Sequence, residues 1–293
     1  MVGKSRRLAL LEGVTAGILF GTAAIFIRLL TGINIFSIAL WRLIIASAVL
    51  TFIIIIAFKK KLSANLIQSN FKHFLVLGIL LGAHFILFVS AVKDTTILNA
   101  TVLVNTTPIF SIIISTFLYR IKPSKLALAG IALSFIGAGI IAYGDARAGE
   151  TASLIGDLEA VLAAVTEGFY LNYGREKRSQ LPLLPTMLFI YLAATLTVGA
   201  TTVLTRTTFE ISNSLETLLF LIGLGVLPTA AAHTLYFSSL SNLKSFETAS
   251  MALLEPLGAT LLGVAIFTEI PTPIFVLGAV LLLVGILSVA SGK

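Results

Sequence analysis

The feature that most limits what this chain can become is a succession of apolar runs, each close to the roughly 20 residues that a helix needs to cross a bilayer. They fall at 8–30, 36–58, 72–92, 97–119, 124–143, 154–174, 184–204, 215–239, 246–268 and 273–290. The breaks between them carry charges or turn formers: Lys59-Lys60-Lys61, Lys93-Asp94, Lys122-Pro123, Gly144-Asp145, Pro182 and Pro185, Lys244, and Pro271 with Pro273. Only 11% of the residues are charged and 57% are hydrophobic, with a mean hydropathy of +1.05. A soluble domain carries roughly 25% charged residues, so this chain could not cover a water-facing surface. An all-α integral membrane protein of about ten transmembrane helices is predicted.

The net charge of +7 does not point to nucleic acid. The basic residues stand in short clusters between the apolar runs, where they act as topology signals. Lys4, Arg6, Arg7, Lys59 to Lys61, Lys72, Arg120, Lys122, Lys125, Arg175, Lys177, Arg178, Lys244 and Lys293 fall on one side of a ten-span topology. Lys93, Arg147 and Arg206 fall on the other. The expectation is a multi-pass protein of the cytoplasmic membrane with both termini in the cytoplasm. The chain has no cysteine, which removes disulfides and thiolate chemistry. The basic N-terminus followed by an apolar run resembles a signal sequence, but no small-residue cleavage site follows in register and the run is expected to stay as the first span.

The chain also repeats. At an offset of 148 residues, Ser90 falls on Ser238, Pro108 on Pro256, Pro123 on Pro271, Gly130 on Gly278 and Gly137 on Gly285. At an offset of 147, Glu12 falls on Glu159, Gly21 on Gly168 and Arg28 on Arg175. These are punctuating and charged residues, which general hydrophobicity would not bring into line. Two repeats are predicted, 1–148 and 149–293. Each holds an odd number of spans, so the second enters the membrane from the opposite side. Inverted repeats of this kind hold a substrate near the midplane between the halves and expose it alternately to either side.

Arg42 early in the second span, the Asn-Thr-Thr-Pro108 segment, Leu253-Leu254-Glu255-Pro256, Glu269 before a Pro-rich corner, and Gly278 and Gly285 in the last span resemble the EamA-type family of the drug/metabolite transporter superfamily, with two tandem five-helix domains. The resemblance covers almost the whole chain. In two places the chain departs from the family: Tyr119-Arg120-Ile121 stands where an acidic residue is usual, and no arginine in the second half matches Arg42. The resemblance implies export or exchange of small metabolites, often amino acids. It also implies a central cavity between spans 1, 3, 4 and 6, 8, 9, with spans 5 and 10 at the periphery.

Ionisable residues inside a membrane are costly and usually face the protein interior or water. Glu255, beside Pro256 in the ninth span, is the leading candidate. Its carboxyl could exchange a proton with a ligand or a gradient, or could cap the Ala252 carbonyl that Pro256 frees. His84 and His233, in the third and eighth spans, change charge near neutral pH, and either could instead bond across helices. Glu167 and Tyr170 share a helical face at i, i+3 spacing. Asn99 and Asn105 are further candidates for the pathway, and Pro108 and Pro256 are the expected kinks. Glu12 and Glu159 suit helix N-termini through the dipole. Arg28, Arg42 and Trp41 are expected near the interfaces, where snorkelling and aromatic anchoring suffice. Gly13, Gly17 and Gly21, and Gly130 and Gly137 with Gly278 and Gly285, mark close helix approach.

A secondary transporter for a small-molecule solute, driven by proton exchange or running as a facilitative uniporter, accounts best for these features. No His-Glu-x-x-His, Gly-x-Ser-x-Gly or Gly-x-x-x-x-Gly-Lys motif occurs, which argues against an intramembrane enzyme and against direct use of ATP. No filter loop between spans suggests a channel. No metal or cofactor is expected. With no basic residue read near the midplane, an amino acid, another zwitterion or a modest organic cation fits better than a polyanion.

Overall fold

A computed structural model describes residues 5–58, 64–144, 153–211, 214–259 and 273–291. Among these the ordered elements are all helical. The first half holds α1 (Arg6–Phe20), α2 (Ala23–Leu29), α3 (Ile35–Phe58), α4 (Ala64–Asp94), α5 (Ile97–Val104), α6 (Thr107–Phe117) and α7 (Lys125–Gly144). The second holds α8 (Leu154–Arg178), α9 (Leu183–Leu204), α10 (Leu215–Leu224), a π-helical segment (Gly225–His233), α11 (Thr234–Ser239), α12 (Ser245–Met251), a 3₁₀ turn (Ala252–Leu254) continued helically by residues 255–259, and α13 (Pro273–Ser291). Among the described residues six stretches are long and apolar enough to cross a membrane: Arg6–Leu29, Ile35–Ile56, Leu66–Asp94, Asn99–Phe117, Leu183–Leu204 and Leu215–Ser239. Shorter apolar helices at Lys125–Ile140 and Val276–Ser291 accompany them.

The helices begin close to where the apolar runs begin, except α4. It starts at Ala64, two turns before the expected 72, because the amphipathic stretch Ala64–Phe71 continues the helix beyond the hydrophobic run. The outer faces are apolar, as lipid requires: Phe52 is 64% exposed, Leu196 72% and Leu204 83%.

Four spans are broken, and local chemistry explains how each break is tolerated. Pro108 cannot donate to the Val104 carbonyl; the Thr107 hydroxyl, 2.8 Å away, takes that bond instead. Pro228 likewise frees the Leu224 carbonyl, which accepts from the Thr229 hydroxyl at 2.7 Å inside the π-helical segment. Pro256 frees the Ala252 carbonyl, and the backbone N–H of Glu255 closes it in a tighter 3₁₀ turn. The Glu255 side chain is therefore not needed as a cap. The first span breaks between α1 and α2, where the Thr22 hydroxyl donates to the Leu19 carbonyl at 2.8 Å. The break in the first span and the π-helical turn were not foreseen from the sequence.

The packing repeats about a two-fold relation. Span five packs on span ten (α7 on α13), span four on span nine (α6 on α12), and span two on span seven (α3 on α9). The contact of span three with span six (α4 on α8) is matched by span eight with span one (α11 on α1). The sense of the relation is antiparallel. Arg6 and Arg28 lie at opposite ends of the first span, and the C-terminal end of α4 meets Arg28 through the Thr95 carbonyl at 2.9 Å. The end of α11 instead meets Glu12, near the Arg6 end, through Ser238 at 3.2 Å. Corresponding helices of the two halves therefore run in opposite directions.

Small residues carry the closest approaches. A side chain at Gly17 would collide with the Met251 carbonyl, and one at Gly21 with the backbone of Glu255 and Ala259. A Cβ added at Gly13 would fall 2.8 Å from the Met251 side chain. At the edge of the bundle a Cβ added at Gly130 would fall 2.6 Å from the Gly285 carbonyl and one added at Gly137 2.6 Å from the Gly278 carbonyl, one approach the two-fold counterpart of the other.

Candidate functional site

The broken spans converge on one internal cavity. Its walls are Phe20 and Ala23 from the first span, Arg42 from α3, His84 and Phe88 from α4, Val104 and Asn105 from the end of α5, Glu167 from α8, His233 from the π-helical segment, and Ala252 and Glu255 from the ninth span. The free volume is about 30 Å³. That exceeds the roughly 10–15 Å³ one water molecule needs and falls far short of the roughly 300 Å³ or more of a small-molecule pocket. The cavity must widen to admit a solute.

The Asn105 side-chain amide donates to Glu255 Oε2 at 2.9 Å, tying the break in span four to the break in span nine. Glu167 Oε2 lies 3.2 Å from the Thr107 hydroxyl and 4.0 Å from His84 Nδ1. His84 Nδ1 is 3.0 Å from the Ala163 carbonyl. A carbonyl can only accept, so that nitrogen carries a proton.

The basic wall was misread from the sequence. Arg42 does not snorkel to an interface: it is 1% exposed and faces the cavity. Its guanidinium carbon lies 3.8 Å from the centre of the Phe85 ring, and its Nε donates to Thr229 Oγ1 at 3.0 Å. A clue was present in the residues. Ala39, Arg42, Leu43, Ala46, Ser47 and Leu50 form one buried stripe at helical spacing, while Ile44, Phe52 and Ile55 point outward. The expectation of no basic residue among the central polar groups is therefore corrected: Arg42 lines the same cavity as Glu255 and Glu167.

His233 stands between Phe20 and Phe85, each ring 4.8 Å away and edge-on. Its centroid lies 6.0 Å from that of His84. Of the expected site residues, Glu255, His84, Glu167, Asn105 and His233 thus share the cavity. Tyr170 does not: its hydroxyl approaches the Met187 sulfur at 3.9 Å and its ring packs beside Phe237. Asn99 lies at the start of α5, where its amide donates to Asp157 at 3.0 Å, one turn and a half from Asn105. Glu12 and Glu159 meet serines across helices, Ser238 at 3.2 Å and Ser90 at 2.8 Å. Pro108 and Pro256 flank the cavity through the breaks they cause. Pro271 and Glu269 lie outside the described residues. Among the described residues no group of three or more histidines, cysteines or carboxylates could hold a metal.

A solved crystal structure aligns with this chain at a TM-score of 0.81 and 19% identity, covering 98% of this chain and 97% of that one. At that identity the likeness speaks for the fold. No curated protein matches the chain. The pattern of the EamA-like transporter family matches it twice, over residues 7–143 and again over 154–291. The two matches divide the molecule where the antiparallel two-fold relation divides it, and between them they contribute both walls of the cavity. The chain belongs to the EamA-like transporter family, a family of multi-pass membrane transporters.

Proposed function

We propose that the protein is a secondary transporter that exports or exchanges a small amphoteric metabolite, an amino acid or a drug-like zwitterion, across the cytoplasmic membrane. Its two repeats, 1–148 and 149–293, rock against one another around the central cavity, with both termini in the cytoplasm. The observation that carries this reading is the meeting of a guanidinium and two carboxyl groups in one enclosed cavity at the breaks of four spans. Discontinuous helices at a repeat interface are how such transporters hold solutes, and separate basic and acidic walls match a solute bearing both charges.

Glu255 is the group we assign to proton exchange. It sits where its bond to Asn105 joins a broken span of each half, so loss or gain of its proton alters the contact that any rocking motion must break. The test is flux of radiolabelled amino acids in proteoliposomes, with and without an imposed pH gradient. Glu255→Gln is expected to abolish stimulation by the gradient while counterflow at equal pH persists. Gradient-driven flux equal to wild type would end the proton assignment. Absence of counterflow for every amino acid and amine tried would end the solute assignment.

A further inference from the structure

The two walls of the cavity differ in how well their polar atoms are satisfied. Glu255 accepts from the Asn105 amide, and Glu167 has polar neighbours in the Thr107 hydroxyl at 3.2 Å and the His84 ring at 4.0 Å. On the other wall Arg42 Nη1 and His233 Nδ1 find no partner, nor does the hydroxyl of Tyr236, which lies beside His233 outside the cavity lining. These three residues are at least nine-tenths buried. Arg42 lies over the Phe85 face, His233 meets the same ring edge-on, and Tyr236 meets His233 at 6.4 Å. A buried guanidinium nitrogen without an acceptor is expensive, and an unsatisfied buried donor in a native fold calls for an explanation. What is missing from the closed cavity is an acceptor, and a negatively charged one pairs best with a guanidinium.

We infer that Arg42 Nη1, together with the His233 ring, seats the carboxylate of the solute, and that Thr229 is the residue that positions Arg42 for it. This rests on the amphoteric solute proposed above and adds which end of it binds where. Thr229 is suited to the task by the break it occupies. Its hydroxyl proton is committed to the Leu224 carbonyl that Pro228 frees, at 2.7 Å. Its lone pairs are thereby turned outward and accept from Arg42 Nε at 3.0 Å. The Thr229 carbonyl is itself held by the Tyr191 hydroxyl at 2.7 Å. With Nε tied back and the guanidinium carbon 3.8 Å over the Phe85 ring, Nη1 is a buried donor open to a ligand. The ammonium end of the solute then faces Glu255 and Glu167.

The experiment uses the full chain in proteoliposomes and measures counterflow of L-leucine and L-phenylalanine, each beside its carboxamide and its decarboxylated amine. The apolar cavity wall of Phe20, Phe88 and Val104 motivates these side chains. Wild type is expected to carry the zwitterions with the lowest KM. Arg42→Gln should raise KM for the zwitterions at least tenfold and leave the amines and amides within about threefold. Thr229→Ser keeps the hydroxyl and should match wild type. Thr229→Val should raise KM for the zwitterions with kcat little changed. If Arg42→Gln does not purify as a monodisperse protein, Arg42→Lys is read instead, and zwitterion KM unchanged in it would overturn the seat. Zwitterion counterflow that Arg42→Gln leaves unchanged would overturn the carboxylate seat while the transporter reading stands. A uniform loss for zwitterion, amide and amine would also overturn it, since that marks a merely structural arginine. Wild-type flux of amines without zwitterions, or of none of the six, would overturn both the seat and the amphoteric solute. Thr229→Val behaving as Thr229→Ser would remove the positioning role alone.

Discussion

At one end of the bundle Ser90 donates to Glu159 at 2.8 Å and Arg28 reaches the Thr95 carbonyl at 2.9 Å. At the other end the residues at the repeat offset do the same: Ser238 donates to Glu12 at 3.2 Å, and Arg175 reaches the Leu243 carbonyl at 2.9 Å. The middle of the molecule keeps no such correspondence. Glu255 has Thr107 as its repeat counterpart, Glu167 has Phe20, His84 has Ala232, and α9 contains no arginine to answer Arg42. The ends preserve the duplicated scaffold, whereas the cavity has shed it. A two-fold cavity would present the same groups to both ends of a solute. Recognising a solute whose ends differ requires this loss of symmetry.

The largest effect that separates middle from scaffold is expected at a pair of equivalent glycines. Gly21 lies at the break in the first span, and a Cβ there would enter the backbone of Glu255 and Gly258, both within 2.7 Å. Its counterpart Gly168 lies in the continuous helix α8 and would meet Ile114 Cδ1 and Phe110 Cβ at 3.3 Å. Gly21→Ala should cost about 2–3 kcal/mol of overpacking. Gly168→Ala should stay within about 1 kcal/mol of wild type, because alanine recovers roughly 0.5–1 kcal/mol in a helix interior. Unfolding in detergent, followed for both variants, checks this. Equal losses would mean that the first span approaches its neighbour no more closely than its counterpart does.

Next in size is a variant that restores symmetry at the cavity. Glu255→Thr gives both halves a threonine at equivalent positions. Gradient-driven flux should fall at least about tenfold, or roughly 1.4 kcal/mol, with little loss of stability because the lone carboxylate of the pair leaves with its burial cost. Retained coupling in this variant would show that the asymmetry at this pair is incidental.

The scaffold was legible in the sequence and much of the cavity was not, for a physical reason. Repeat glycines, prolines and the Glu12 and Glu159 pair punctuate an otherwise apolar text, so their spacing stands out. Glu255 stands out likewise, since nothing except an interior role tolerates it in mid-span. Arg42 was lost because a long cationic side chain near a span end can reach the interface or turn inward, and charge alone does not distinguish the two. The small-residue stripe of Ala39 and Ala46 on its face carried the deciding information. The π-helical turn was invisible because Pro228 sits among apolar residues that would equally suit a straight helix, and only the Thr229 bond to Leu224 reveals how the break is stabilised. Tyr170 shows the opposite error: i, i+3 spacing placed it with Glu167, but a helical face is wide enough for one residue to line a cavity and the other to pack behind it.

The matched ends make a quantitative claim of smaller size. Double-mutant cycles on Ser90→Ala with Glu159→Gln, and on Ser238→Ala with Glu12→Gln, should return coupling energies of about 0.6 kcal/mol each, the usual size of a polar contact between membrane helices. The two values should agree within about 0.5 kcal/mol. A larger gap would break the claim that the ends have stayed equivalent.

A last expected effect, salt-dependent and modest, lies at a place where the ends differ. Arg6 grips Glu247 with two bonds, 2.8 and 3.2 Å long, and Glu247 also accepts from the Lys244 backbone at 2.7 Å. The repeat counterparts of this ion pair are Ser153 and Asn99, and the corresponding fastening is the neutral amide of Asn99 on Asp157. Among the described residues, the end that holds the start of the first span is thus fastened by an ion pair where its counterpart uses an amide on a carboxylate. The Arg6 side chain is 34% exposed, so water and salt screen it and the pair should contribute no more than about 1 kcal/mol. Arg6→Gln should lower the melting temperature slightly at low ionic strength, and the gap to wild type should narrow as salt rises, because the Debye length shrinks from about 30 Å at 0.01 M to about 3 Å at 1 M. Asn99→Ala should lose stability by an amount that salt leaves unchanged. If both losses respond to salt alike, the two ends are fastened by the same physics and the asymmetry of the molecule is confined to its cavity.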